Sequence, residues 1–248
     1  MVFAKLPGLI RALLLFGFGY FLMHVVSSGD VLLYIHPRFI LGIKISYCFF
    51  YALALVQFIN TLNPQEILHH ELKRGWGMYV IFIVPLVIGL LVPPKALSSY
   101  MVNQKGINLT NNQQVSGRSV GSAMVHNYAA NWKPVITDNT FMYAMYMLAL
   151  QPQSFVDKNI DFVGFVYKDK EFRKNQLVVA RFAITCCTAD AQVLGLMCLY
   201  NNADAFAKDD WVRVKGIIKT EHDLTGTYPT VEVTSIKKVP PLKMPYVF

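Results

Sequence analysis

Charged side chains are scarce in this chain. Only 15% of its 248 residues are Asp, Glu, Lys or Arg, whereas 54% are hydrophobic. Soluble domains carry roughly 25% charged residues, so part of the chain does not face water. Mean hydropathy is +0.37. Cysteine is sparse as well. Four residues, two of them adjacent, exclude the disulfide framework of a small secreted scaffold. The net charge of +8 is not gathered into a dense basic block, so nucleic-acid binding is not demanded. A mild excess of Lys and Arg suits a protein beside an anionic bilayer. No histidine lies within thirty residues of the paired cysteines. The chain therefore offers no local thiol–base pair, and the sequence is read as that of a non-enzyme.

What is present divides along the chain. Apolar runs cover about 9–28, 39–59 and 76–92, and each approaches the ~20 residues needed to cross a bilayer. Lys5 and Arg11 would give a signal peptide its basic start. However, no small-residue cleavage site follows and two further apolar runs come after, so the first run is read as a crossing. Lys44 and His24 stand near span ends, within snorkelling reach of an interface. Gln57 and Pro85 read as packing and kinking devices. Basic residues at the N-terminus and in the second loop (Lys73, Arg74) favour a cytoplasmic N-terminus with everything after Val92 outside. In that second loop Asn63, Pro64 and Glu66 spell the start of a short helix. Its Glu66, His69 and His70 put only two possible ligands on one helical face. The organisation expected is a transmembrane domain at 1–94, a polar connector at 95–135, and an extracytoplasmic helix plus β domain at 136–248.

Thr137 or Asp138 caps a predicted helix over about 139–150. From residue 160 the period becomes two, and five strands are predicted at 160–167, 177–186, 192–200, 211–220 and 230–237. A short helix is predicted at 201–209. Val212, Val214 and Ile218 alternate with Arg213 and Lys215, and mid-strand Gly164 and Gly216 mark bends or bulges. The fold class expected is membrane α, with three transmembrane helices, plus a mainly-β C-terminal domain. Five strands with a helix between the third and fourth describe an OB-type barrel; an open five-stranded sheet is the alternative. A barrel of that type could offer nucleic acid a groove from Tyr167, Lys168, Lys170, Arg173, Lys174, Lys215 and Lys219. The expected placement outside the cell argues against that partner.

The chemistry-bearing string is Arg181-Phe182-Ala183-Ile184-Thr185-Cys186-Cys187-Thr188-Ala189-Asp190. Continued strand geometry would put Cys186 on the apolar face with Val178, Ala180, Phe182 and Ile184, and Cys187 on the other face with Arg181 and Thr185. One reading makes Cys186 core and Cys187 incidental. Another makes Cys186, Cys187, Asp190 and Cys198, on the next strand, ligands to zinc or another thiophilic metal ion, with His222 as a further donor. A disulfide between the neighbours needs a strained turn, and a catalytic cysteine needs a base that the sequence does not supply. His126 and Trp132 show no partner in the sequence.

These residues also carry a resemblance. The three N-terminal apolar segments are followed by Pro93-Pro94-Lys95-Ala96-Leu97-Ser98-Ser99. The run Ile160-Asp161-Phe162-Val163-Gly164-Phe165-Val166-Tyr167, the Arg181-Phe182 … Cys186-Cys187-Thr188-Ala189-Asp190 string and Trp211-Val212-Arg213-Val214-Lys215-Gly216 complete the set. Together they resemble a bacterial family of two-component membrane permease complex subunits, over nearly the whole chain. The resemblance implies a multi-pass protein of the bacterial cell membrane acting as the accessory half of a complex. Its partner, a larger multi-pass permease, would hold the pathway. Relatives carry a more histidine-rich second loop, which here reduces to His69-His70. The alternative function is a membrane-anchored metal-binding or thiol redox-sensing module built on Cys186, Cys187 and Asp190.

Overall fold

A computed structural model describes residues 2–62, 77–95, 97, 122–223 and 226–248. The second-loop helix with Glu66, His69 and His70 lies outside the described residues, as does most of the connector. The chain divides into two compact units, residues 1–95 and 96–248.

In the first unit, α1 (Val2–Ser28) and α2 (Ile40–Leu62) are joined through two short 3₁₀ turns, and α3 (Gly77–Leu91) continues through Pro85. Small residues let the helices approach. A Cβ on Gly8 would strike the Thr61 hydroxyl at 2.5 Å, and one on Gly89 would strike the Phe21 ring at 2.9 Å. Close backbone approach at glycine is a usual device of helix packing in lipid. Phe16 and Tyr51 add a ring contact at 5.4 Å. The outward faces are apolar: Leu13, Leu41, Ile45 and Ile81 are all more than 60% exposed. A water-facing helix turns its apolar stripe inward, so such exposure suits a lipid-facing surface. Over Leu6–Ser28 and Pro37–Leu62 the helices are long and apolar enough to cross a membrane, whereas the apolar stretch Tyr79–Leu91 is shorter.

The second unit is built on a six-stranded sheet with two helices packed on it. Its helices are α4 (Ser122–Ala130) and α5 (Asp138–Leu150). Its strands are β1 (Asn159–Tyr167), β2 (Gln176–Ala183), β3 (Gln192–Leu199), β4 (Trp211–Asp223), β5 (Gly226–Lys238) and β6 (Tyr246–Val247). The helix α5 falls where the capping pattern puts it, with the Thr137 N–H donating to Thr140 Oγ1 at 3.0 Å. Its greasy surface is explained by burial, since Phe141, Ala144, Met145, Met147 and Leu148 enter the core.

The strand pairing returns on itself: β1 pairs with β2, β2 with β3, β3 with β5, β5 with β4 and β4 with β1. Only the β3–β5 pairing of that circuit is parallel. The closure is tight at Gly164. A Cβ there would meet the Ala180 carbonyl oxygen at 2.5 Å, from the strand paired across it. At Gly216 the β4–β5 register shifts, and an added Cβ would collide with the Glu232 carbonyl oxygen. This is the bulge that mid-strand glycine anticipates.

Several sequence expectations need correction. β2 ends at Ala183, not at residue 186. Beyond Ala180 its free edge is taken by the unforeseen β6, which pairs at Phe182 and Ala183, and the Ile184 N–H then donates to the Val247 carbonyl. The predicted helix at 201–209 is a single 3₁₀ turn, Ala203–Ala205. The predicted connector contains α4, whose Val125 and Ala129 join the core. Lys158 donates its ammonium to the Ala129 carbonyl in the last turn of α4, where a cation meets the negative helix end. Trp132 does have partners: its indole N–H donates to the Asn159 carbonyl at 2.8 Å, and its ring packs edge-on to Phe155.

Candidate site: a vicinal thiol pair and its carboxylate

The paired thiols sit on a turn, so strand alternation does not divide them. Asp190 makes the turn. Its Oδ2 accepts from the Cys186 N–H at 2.8 Å and its Oδ1 from the Cys187 N–H at 3.1 Å. The Asp190 N–H returns a bond to the Cys187 carbonyl at 3.0 Å. A short acid that accepts from nearby backbone amides is a turn-former competing with the ladder, and it stops β2 from continuing through the cysteines. Both thiols are half-buried with their sulfurs 3.7 Å apart. Cys186 is thus not core, and the two thiols face one locality together with Asp190. The ligand atoms of all three residues lie within 4.8 Å of one another.

Electrostatics set the protonation of this group. The hydrogen bond to Asp190, followed by that to Cys187, holds the proton on the Cys186 thiol and pushes its pKa up to about 11. Burial alone would raise the Asp190 carboxyl. Hydrogen bonds from the Cys186 thiol and from backbone N–H groups outweigh it and hold Asp190 below its usual range. At neutral pH the group is therefore an ionised carboxylate beside a protonated Cys186 thiol. That is the opposite of the depressed thiol of a nucleophilic cysteine.

Cys198 is placed apart from this group. It lies on β3 within the hydrophobic core, and burial pushes its thiol up to about 12. His222 is at the far end of the β4–β5 hairpin, where its Nδ1 pairs with the Thr227 hydroxyl at 2.7 Å. Tyr167 is buried, with its hydroxyl donating to Asp169 at 2.7 Å, so it is not an exposed ring for base stacking.

Sequence reasoning missed the role of Arg181. Leu177, Val179 and Ala183 enter the core, so the alternate positions that include Arg181 form the inward face of β2. The residue is 1% exposed. Its Nη1 donates to Asp138 Oδ1 at 2.8 Å, its Nε to the Pro245 carbonyl at 3.2 Å, and its Nη2 to the Met244 carbonyl at 3.3 Å. The guanidinium also lies 5.4 Å from the centre of the Trp211 ring. A second charged cluster joins Asp161 on β1 to β4. Arg213 bridges both carboxylate oxygens, at 2.7 and 2.9 Å, and Lys215 approaches to 3.4 Å. The signal for this cluster was in the sequence, since paired strands put Asp161 opposite Lys215 and diagonal to Arg213.

Membrane-length apolar helices followed by a compact β domain define the class: a membrane-associated protein with a separate C-terminal domain. The DUF1980 N-terminal domain matches residues 10–108 and the DUF1980 C-terminal domain matches residues 110–248. The chain belongs to the DUF1980 family. It is 27% identical to a Streptococcus mutans protein described as "Putative two-component membrane permease complex subunit", over 97% of this chain and 99% of that one. It is 26% identical to UPF0703 protein YcgQ of Bacillus subtilis, again over 97% and 99%. The resemblance read from the sequence therefore holds. Among solved structures, a small single-stranded DNA-binding protein from Streptomyces coelicolor aligns with 34% of this chain and 95% of its own at 19% identity, with a TM-score of 0.25.

Proposed function

We propose that this chain is the accessory subunit of a two-component membrane permease complex in a bacterial cell membrane. The observation that carries the reading is end-to-end similarity to a protein described as a subunit of such a complex, joined to helices whose apolar faces are left outward. In this reading the apolar run of about 76–92 read from the sequence, which contains α3, makes a third crossing. At 1.5 Å per residue its 15 helical residues span only ~22 Å of a ~30 Å hydrocarbon layer, so the flanks are needed. The N-terminus is cytoplasmic and the β domain extracytoplasmic. The five-strand circuit, with β3 parallel to β5, is an OB-type barrel, and it gates, receives substrate or scaffolds at the outer face of a larger permease. The role is non-catalytic, in keeping with the protonated Cys186 thiol.

The test is co-purification. The tagged chain, extracted in a mild detergent from its own host, should bring down a larger multi-pass permease in stoichiometric amount. Recovery of the chain without it, in a detergent that preserves other membrane complexes, rejects the reading.

A further inference from the structure

The Cys186–Cys187–Asp190 turn has the bite of a metal chelate. Two zinc–sulfur bonds of about 2.3 Å opening at a tetrahedral angle place the sulfurs ~3.7–3.8 Å apart; here they stand at 3.7 Å. A zinc–oxygen bond of about 2.0–2.2 Å on the same centre puts oxygen ~3.6 Å from each sulfur. That fits a cluster whose ligand atoms all lie within 4.8 Å. The carboxylate is already aimed. Its oxygens accept the Cys186 and Cys187 N–H groups, and the lone pair that now takes the Cys186 thiol proton is freed for a cation when that thiol ionises; supporting hydrogen bonds of this kind orient metal ligands.

We propose that Cys186, Cys187 and Asp190 form a three-donor site for a thiophilic d¹⁰ cation, with zinc as its first occupant. Each thiol that ligates gives its proton to solvent, so two thiolates and one carboxylate meet the divalent ion. Cys198 takes no part, because it is sealed in the core. Structural zinc sites close all four positions, whereas sites that act on or exchange something keep one open. Three donors on a half-buried turn leave the fourth position to water or to an incoming donor, and the site holds its ion exchangeably. Two adjacent sulfurs favour this soft ion over calcium or magnesium, which take oxygen ligands. The site does not depend on the permease reading.

The experiment uses the full chain in detergent under a thiol reductant, loaded with zinc chloride, passed through a desalting column, and measured for zinc per chain. Cadmium chloride in parallel gives a thiolate-to-metal charge-transfer absorption. One zinc per chain is expected. The C186S/C187S double variant should lose at least nine-tenths of it together with the cadmium band, and D190N should weaken binding at least tenfold. The variant C198A should keep full stoichiometry. Circular dichroism of each metal-free variant establishes that the β domain is folded. Wild-type stoichiometry in a folded C186S/C187S variant, or no zinc on the folded wild-type chain, overturns the proposal. Either result would leave co-purification with a permease untouched, so the two readings fail separately.

Discussion

Arg181 Nη1 and Asp138 Oδ1 lie 2.8 Å apart, joining the inward face of β2 to the first turn of α5. The arginine is wholly enclosed, whereas the side chain of Asp138 is 58% exposed. The guanidinium also holds the carbonyls of Met244 and Pro245 and lies beside Trp211 and Phe141. One side chain therefore fixes the position of the capping helix and the C-terminal segment on the strands.

Arg181→Met should cost about 1–3 kcal/mol, because it leaves the Pro245 and Met244 carbonyls without their buried donor. Asp138→Asn should cost less, about 1 kcal/mol, because solvent screens an exposed partner. Chemical denaturation of the full chain, followed by near-ultraviolet circular dichroism, measures both. Equal effects of the two changes would mean that the carboxylate, rather than the tail carbonyls and rings, carries the interaction.

The Asp161 cluster predicts an acid limit for the β domain. Burial alone would raise this carboxyl, but the hydrogen bond and charge of Arg213, and then the charge of Lys215, hold it below its usual range. A carboxyl depressed in the folded state stabilises above its unfolded pKa of about 4, and that contribution is lost as pH falls through the folded value. Asp161→Asn should lower stability at pH 7 by about 1–3 kcal/mol and flatten its decline as the pH falls below about 4. An unchanged pH profile in the variant would refute the assignment.

Gly164→Ala tests the strand circuit. The added methyl meets the Ala180 carbonyl oxygen at 2.5 Å, and a backbone atom cannot swing aside as a side-chain tip does. Overpacking of this kind costs about 1–3 kcal/mol. The substitution should therefore destabilise the β domain, whereas Gly42→Ala, with nothing within 4 Å, should be close to neutral. If both changes are neutral, β1 and β2 do not close on each other as described.

Much of this was legible in the residues, and the exceptions have physical reasons. The alternation of Val212, Val214 and Ile218 with Arg213 and Lys215 gave β4 its two faces, and Thr137 marked the start of α5. The bulge at Gly216 was legible because only glycine fits so close to Glu232. The end of β2 was not. Ile184-Thr185-Cys186 continues a strand-like alternation, and what breaks it is a carboxylate four residues on together with a two-residue strand from the far end of the chain. Arg181 misled for a similar reason. β2 is buried throughout its length, so a charge on one face does not mark that face as solvated. At the site, Cys186, Cys187 and Asp190 were candidate ligands in the sequence, but strand alternation set the two thiols on opposite faces; their convergence on one turn and the separation of Cys198 required the structure.

Orientation has its own test. Asn201, exposed in the segment between β3 and β4, can be changed to Cys in a chain carrying C186S and C187S. A membrane-impermeant maleimide should label it on intact cells. Labelling only after lysis, with expression established by immunoblot, would place the β domain in the cytoplasm.

The central claim is that this chain works as one half of a permease. Its most direct measurement is the mass and composition of the detergent-extracted complex isolated through a tag on this chain, expressed at its natural level. The account predicts a defined hetero-complex containing this chain and one larger multi-pass permease at fixed stoichiometry. The chain emerging alone, or only with copies of itself, under conditions that keep other membrane complexes intact would contradict it.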